Sequence, residues 1–204
     1  MKPDLSEIDL RTIQEGIRRK YADVAAKDSA AGCFRYPTGK EGLLQLGYPE
    51  AILQGIPDST LASFCGVGNP FSLGPLNPGE AVLDIGCGAG VDTLVAAHLV
   101  GPQGRVVGVD VTEEMIIRAR ANLDLTSLAN VRFEVASAEA LPFSDREFDV
   151  VISNGVFNLT VDKEQGLRET RRVLKAGGRL MLADMVLVQE LPADKAHKVE
   201  NWFQ

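Results

Sequence analysis

The stretch AVLDIGCGAGVDTLVAAHLV, residues 81–100, constrains this chain more than any other. A short apolar run ends at Gly86, and a helical apolar pattern begins at Val91, so a buried strand must turn into a helix across Gly86-x-Gly88-x-Gly90. Glycine allows the sharp turn and lets a ligand approach the backbone, because no Cβ intervenes. A bare strand-to-helix turn accounts for one such glycine; glycines in alternation point to a ligand. A dinucleotide fingerprint, G-x-G-x-x-G/A, needs a third small residue. Counting from Gly86 that place holds Val91, and from Gly88 it holds Thr93. The pattern here is instead acid-x-Gly-x-Gly-x-Gly, led by Asp84, which suits a ligand without a pyrophosphate.

The regime after Ala81 alternates strand and helix. Strands are expected at 81–86, 105–110, 131–136, 148–154 and 179–188. Helices are expected at 91–100, 113–125 and 163–174, the last closed by Lys175-Ala176-Gly177-Gly178, and a further helix begins at 193–204. Such alternation implies right-handed crossovers and a doubly wound parallel sheet covered on both faces. A sheet of this kind usually has more strands, so C-terminal strands are expected to be missing from this chain. Upstream, residues 6–27 read as an amphipathic helix carrying Leu10, Ile13, Ile17, Tyr21 and Val24, with Ser6 and Asp9 as a weakened capping box. A Gly/Ser/Pro-rich loop (29–42), short helices at 49–54 and 59–64, and the loop GVGNPFSLGPLNPGE follow. The expected division is an N-terminal helical cap, 1–70, over a ligand-binding core, 71–204.

Composition narrows the function. The net charge of −7 disfavours a nucleic-acid partner, which calls for a basic face. No run approaches the roughly 20 apolar residues of a membrane helix. The polar start MKPDLSEIDL does not fit a signal peptide. Cys33, Cys65 and Cys87 form no CxxC pair, and the histidines are His98 and His197, so neither a disulfide framework nor a metal site is expected. A reduced, cytoplasmic protein is the expectation.

Asp110 ends the second strand, 20 residues after Gly90, where a carboxylate can accept from both hydroxyls of a ribose. An NAD enzyme would use such an acid in the same way, so Asp110 alone does not discriminate between cofactors, and its other reading is part of a helix N-cap with Thr112. SAEALPF (137–143) places Glu139 after the third strand, as an adenine frame or as an ordinary polar loop.

Together VLDIGCGAG, VVGVD, AEALPFSDREFDVVIS and RVLKAGGRLMLAD resemble class I S-adenosylmethionine-dependent methyltransferases, in order over roughly residues 80–188. The resemblance implies a Rossmann-like fold with S-adenosylmethionine as cofactor. It implies that Asp84, Gly86, Gly88 and Gly90 cradle the methionine part, with Cys87 a small filler of that turn. Asp110, with Val111 beside it, would hold the ribose; Met115, Ala138 and Glu139 would flank the adenine; Asn154 would turn toward the cofactor.

A narrower resemblance, carried by VGPQGRVVGVDVTEEM, DVVISNGVFNLTVDK and LVQELPADKAHKVENW, is to arsenite methyltransferases. It implies a role near the cofactor for Tyr21, followed here by Ala22 where that family has glycine. That family presents cysteine thiols to trivalent arsenic, and soft thiolates are what such a centre needs. At one cysteine position, in SNGVFNL, this chain has Gly155. A second falls at Cys65 or at Val67, and a third just beyond Trp202-Phe203-Gln204. Gly155 is expected to open space beside a substrate-facing loop that also contains Asn158. The expected function is methyl transfer to a small-molecule acceptor, with no catalytic base identified. The alternatives are a non-catalytic or partner-dependent cofactor-binding relative and, less well matched, an NAD-type oxidoreductase.

Overall fold

The computed structural model describes residues 7–186. Helix α1 (Glu7–Ala25) follows the predicted apolar spacing: Ile13, Ile17 and Val24 are buried, and Val24 packs on Ala89 and Met115 of the core. The loop expected over 29–42 yields early to α2 (Gly39–Gln45). Close packing decides this, because the Gly39 N–H donates to the Phe64 carbonyl at 2.8 Å and a Cβ on Gly42 would lie 2.5 Å from the Pro37 oxygen. Two single-turn helices follow, α3 (Glu50–Leu53) and α4 (Asp58–Leu61), each preceded by a proline that presets the entry. A 3₁₀ turn at Pro70–Leu73 is capped by the Asn69 side chain, which accepts from the Phe71 N–H.

Then the predicted alternation appears: β1 (Ala81–Ile85), α5 (Val91–Val100), β2 (Arg105–Asp110), α6 (Glu113–Asp124), β3 (Val131–Val135), β4 (Phe148–Asn154), α7 (Lys163–Val173) and β5 (Leu174–Ala183). The sheet order is β3–β2–β1–β4–β5 and every pairing is parallel, the doubly wound Rossmann-like arrangement. Alternate residues face opposite sides: Val82, Val106, Val150 and Ile152 pack with Ala96, Ala97 and Val100 of α5, whereas Leu83, Ile85, Val107 and Val151 pack with Phe143, Phe157 and Val173. Burial on both faces explains why these strands read as unbroken apolar runs.

The fifth strand differs from expectation at both ends, since it begins at Leu174 rather than 179 and stops at Ala183, with 184–186 outside it. Lys175–Gly178 is not a loop closing α7 but an irregular start of β5, which pairs Phe148 with Leu174 and then Val150 with Arg179. The extra residues bulge out through Gly177, whose φ is +78°. The expected helix at 193–204, with His197, and the site beyond Trp202 fall outside the described residues, as do Ser6 and the last residues of the fifth predicted strand.

Gly108 on β2 shows how tightly α5 sits on the sheet: a Cβ there would lie 2.7 Å from the Phe133 ring and 2.8 Å from the Thr93 hydroxyl. Replacing it by alanine overpacks the interface and is expected to cost about 1–3 kcal/mol. The check is urea denaturation, which should show a lower midpoint at unchanged slope.

Candidate functional site

The C-terminal ends of β1, β2 and β4 open into a cavity of about 240 Å³, roofed by α1 through Gln14, Ile17, Arg18 and Tyr21. Its floor is the glycine turn. The Gly86 and Cys87 N–H groups both donate to the Val109 carbonyl, at 2.8 and 2.9 Å, pinning the turn to β2. The three glycines have positive φ but different duties. A Cβ on Gly86 would overlap the Val156 side chain, and one on Gly90 would lie 2.7 Å from Phe133. Only at Gly88 is the space open, with the Met115 sulfur 4.0 Å away, so this is where a ligand can come against the backbone.

Asp110 stands across from Gly88. One carboxylate oxygen accepts from the Gly88 N–H at 3.0 Å and the other from the Thr112 N–H at 2.8 Å. Each oxygen keeps a lone pair for a ligand hydroxyl, so the capping reading and the cavity reading of Asp110 are compatible. Asp84, 2% exposed at the end of β1, accepts from the Thr93 hydroxyl at 2.6 Å. Burial pushes the Asp84 carboxyl well above its ordinary range and Asp92 adds to this, while Thr93 opposes it. Burial also raises Asp110, against the pull of the Thr112 and Gly88 N–H groups.

Asp92, in the first turn of α5, is a third carboxylate in the wall. It accepts from the Tyr48 hydroxyl at 2.7 Å and from the Asn154 amide at 3.0 Å. Burial pushes it up to about 6 in spite of both bonds. An acid two residues after the third glycine is the available signal for Asp92. Nothing in the pattern marks Tyr48, which lies 44 residues upstream of its partner.

The cavity wall brings together Asp84, Gly86, Cys87, Gly88, Asp110 and Val111 on one side, with Ala138 and Glu139 after β3. Asn154, Gly155, Tyr21 and Cys65 complete it. Three expected residues are set back. Gly90 lies under Phe133 at the start of α5, and Met115 is 1% exposed behind the turn, in contact with Val24 and Ala89. Asn158 points elsewhere: its N–H donates to Asp184 at 3.0 Å, and its side-chain oxygen is buried without a partner among the described residues. Glu139 ties the wall together as well as lining it, accepting from the Val161 and Asp162 N–H groups at 2.9 and 3.0 Å.

Two expectations need correcting. Asn154 reaches the wall, but its amide is turned to the 66–68 loop and Asp92 rather than into the cavity. Gly155 does not open space, because the Val67 γ-carbons lie 3.3 Å from where its Cβ would be. Thus Gly155 and Val67, one of the two candidates for the second thiol position, form an apolar contact. Cys65 is the thiol that remains in this part of the wall, and burial, reinforced by Asp110 and Asp92, pushes it up to about 12. Cys33 lies nearby in the cap, with the Lys27 ammonium 3.4 Å from its sulfur.

A parallel α/β sheet with its cavity over a glycine turn and an acid at the end of β2 defines a nucleoside-cofactor protein of the Rossmann-like class. A methyltransferase-domain family profile matches residues 76–204, and the chain belongs to that family. It is 36% identical over 202 residues to an arsenite methyltransferase of Halobacterium salinarum, covering 93% of this chain and 51% of that protein. It is 43% identical over 109 residues to a ubiquinone/menaquinone biosynthesis C-methyltransferase of Shewanella oneidensis, covering 52% and 43%. The crystal structure of an arsenic(III) S-adenosylmethionine methyltransferase from Chlamydomonas reinhardtii superposes with a TM-score of 0.64 at 35% identity, covering 72% of this chain and 52% of that one. The chain therefore spans about half the length of these relatives.

Two outcomes follow from the geometry. Gly155, at φ +74°, leaves no strain-free place for a side chain, so Gly155→Ala is expected to cost about 1–3 kcal/mol. Adding Val67→Ala should recover only the steric part of that loss in thermal unfolding. Asp92 holds its proton more tightly when folded, at about 6, than when unfolded, near 3.9. Its contribution to stability therefore declines as pH rises between those values and is constant above them. The stability difference between wild type and Asp92→Asn, followed from pH 4 to 8 by urea denaturation, should change through that window and level off near pH 6.

Proposed function

We propose that this chain carries the S-adenosylmethionine-binding part of a methyltransferase acting on a small molecule, in the manner of the arsenite enzymes it resembles. The observation that carries the reading is the charge of the cavity: Asp84, Asp92 and Asp110 line a single space of about 240 Å³. Such a wall repels a pyrophosphate and favours a cationic ligand. Val91 and Thr93, buried to 3% and 0% exposure, also stand where a dinucleotide site needs a small residue.

The residues fit this cofactor. Gly88 offers open backbone, and Asp110 has a free lone pair on each oxygen for a ribose diol. S-adenosylmethionine supplies a methyl group already activated on a sulfonium, so the protein's task is alignment and exclusion of water. Tyr21 and Ile17 on α1 and Val156 after β4 bring apolar surface to the lining of this space. Val67 seals over Gly155 beside Cys65, whose thiol is protonated at neutral pH. Around Gly155 the wall offers an acceptor an apolar contact and the protonated thiol of Cys65, not a set of soft thiolates. The acceptor we infer is therefore a small organic molecule rather than free arsenite. The acidic overall charge and the free cysteines support a cytoplasmic enzyme without a nucleic-acid partner.

Calorimetric titration tests the reading. S-adenosylmethionine should bind and NADH should not, and Asp110→Ala should weaken binding by about tenfold or more through loss of two charge-assisted hydrogen bonds. Binding of NADH alone would overturn it. In a methyl-transfer screen, rapid turnover of arsenite with glutathione would overturn the acceptor assignment while leaving the cofactor intact.

A further inference from the structure

Between the cavity and the cap lies a buried polar cluster that the transfer chemistry does not require. The Asn154 side-chain oxygen accepts from the Val67 N–H at 2.8 Å and the Gly68 N–H at 3.0 Å. Its amide nitrogen donates to the Gly68 carbonyl at 2.8 Å and to Asp92 at 3.0 Å. This orientation is fixed by the partners: backbone N–H groups need the oxygen, and a carboxylate needs the nitrogen. Tyr48 completes the cluster, donating to Asp92 at 2.7 Å with its oxygen 3.3 Å from the Gly68 carbonyl. The loop has been fitted to this clasp, since a Cβ on Gly66 would overlap the Asn154 amide and one on Gly68 would lie 2.6 Å from the Ala183 side chain.

Asp92 accounts for what would otherwise be an expensive arrangement. A carboxylate this deeply buried is costly unless fully hydrogen-bonded. It is held here by two donors and by the N-terminal end of α5. In return it takes one amide hydrogen of Asn154 and leaves the rest of that amide for the loop backbone. The segment so held, Gly66–Gly68, directly follows Cys65, whose carbonyl is fixed from the other side by the Tyr36 hydroxyl at 3.0 Å.

We propose that Asp92 is a positioning residue which, through the Asn154 amide, holds the Gly66–Gly68 backbone and thereby Cys65 on the wall of the cavity. The carboxylate lines the same space as Gly88 and Asp110. A cation bound there stabilises the ionised form of Asp92, the form that accepts from both donors, so an occupied donor site firms the acceptor wall. That consequence rests on the cavity being the site of a cationic donor; the clasp itself does not.

The test reads the clasp without any cofactor, as the rate of N-ethylmaleimide addition to Cys65 in a Cys33→Ser background. Cys87, on the same cavity wall but 9% exposed and held within the glycine turn, serves as an internal measure of opening beyond the 66–68 loop by peptide mass spectrometry. Asn154→Ala and Asp92→Asn are each expected to raise the Cys65 rate by about tenfold or more, as freeing a buried hydrogen-bond cluster lowers the local opening energy. The double variant should be no faster than the faster single, because both changes break one unit. Removing the Asp92 charge also eases ionisation of Cys65, but that effect would persist in the Asn154→Ala background. Rates that multiply in the double variant would therefore overturn the proposal, as would an unchanged Cys65 rate in folded Asn154→Ala. Should Asn154→Ala expose Cys87, Tyr48→Phe replaces it: the ring keeps its edge contacts with Phe64 and Phe71 and only the hydroxyl is lost. It should speed Cys65 addition with Cys87 unchanged, and no change at Cys65 would overturn the clasp. Added S-adenosylmethionine should slow addition at Cys65 in the wild-type clasp; failure of that arm alone would count against the donor assignment and not against the clasp.

Discussion

The turn from β1 into α5 is the constraint on which the remainder of the molecule depends. The chain has to leave a fully buried strand, reverse, and start a helix packed on the same sheet, all between Gly86 and Gly90. Val156 presses on one end of the turn and Phe133 on the other, and the Val109 carbonyl holds it from beneath. What remains uncovered is the backbone around Gly88, facing Asp110. The open surface of the turn is thus the part that packing leaves free.

Charge gives that surface its character. Three carboxylates reach one small space, each tied to a local donor: Thr93 for Asp84, Tyr48 and Asn154 for Asp92, and backbone N–H groups for Asp110. Burial raises all of them, so each is more easily protonated than in water, and each gains when a positive ligand enters. The same groups connect the cavity to elements far away in the chain. Asn154 carries the end of β4 to the 66–68 loop, and Glu139 carries the loop after β3 to residues 161 and 162. The loops around the cavity are therefore joined by side chains, not only by adjacency.

Much of this was legible in advance. The central strands and the glycine turn follow from apolar runs punctuated by glycine, because burial on both faces leaves that pattern in β1, β2 and β4, whereas the edge strands β3 and β5 are part exposed. Asp84 and Asp110 stood out for their distance from the turn. The helix α2 was not visible, since Gly39 and Gly42 read as loop until Phe64 and Pro37 are seen pressing on them. The start of β5 was hidden in the same way, with Gly177 and Gly178 suggesting a stop where the strand merely bulges.

Residue order by itself determined the class of fold and the glycine turn at the mouth of the sheet, because these depend on local turns and on periodicity along the chain. It also showed that Gly155 lacks a thiol. Only the tertiary structure decided what stands there instead. Val67 covers Gly155, and Asn154, 87 residues away from Val67, clamps the loop that brings it. Tyr48 and Asp92 meet on the same principle. Contacts between distant segments leave no spacing to read, since their partners are chosen by the sheet order and the packing of the N-terminal helices, and they are what shapes this side of the cavity.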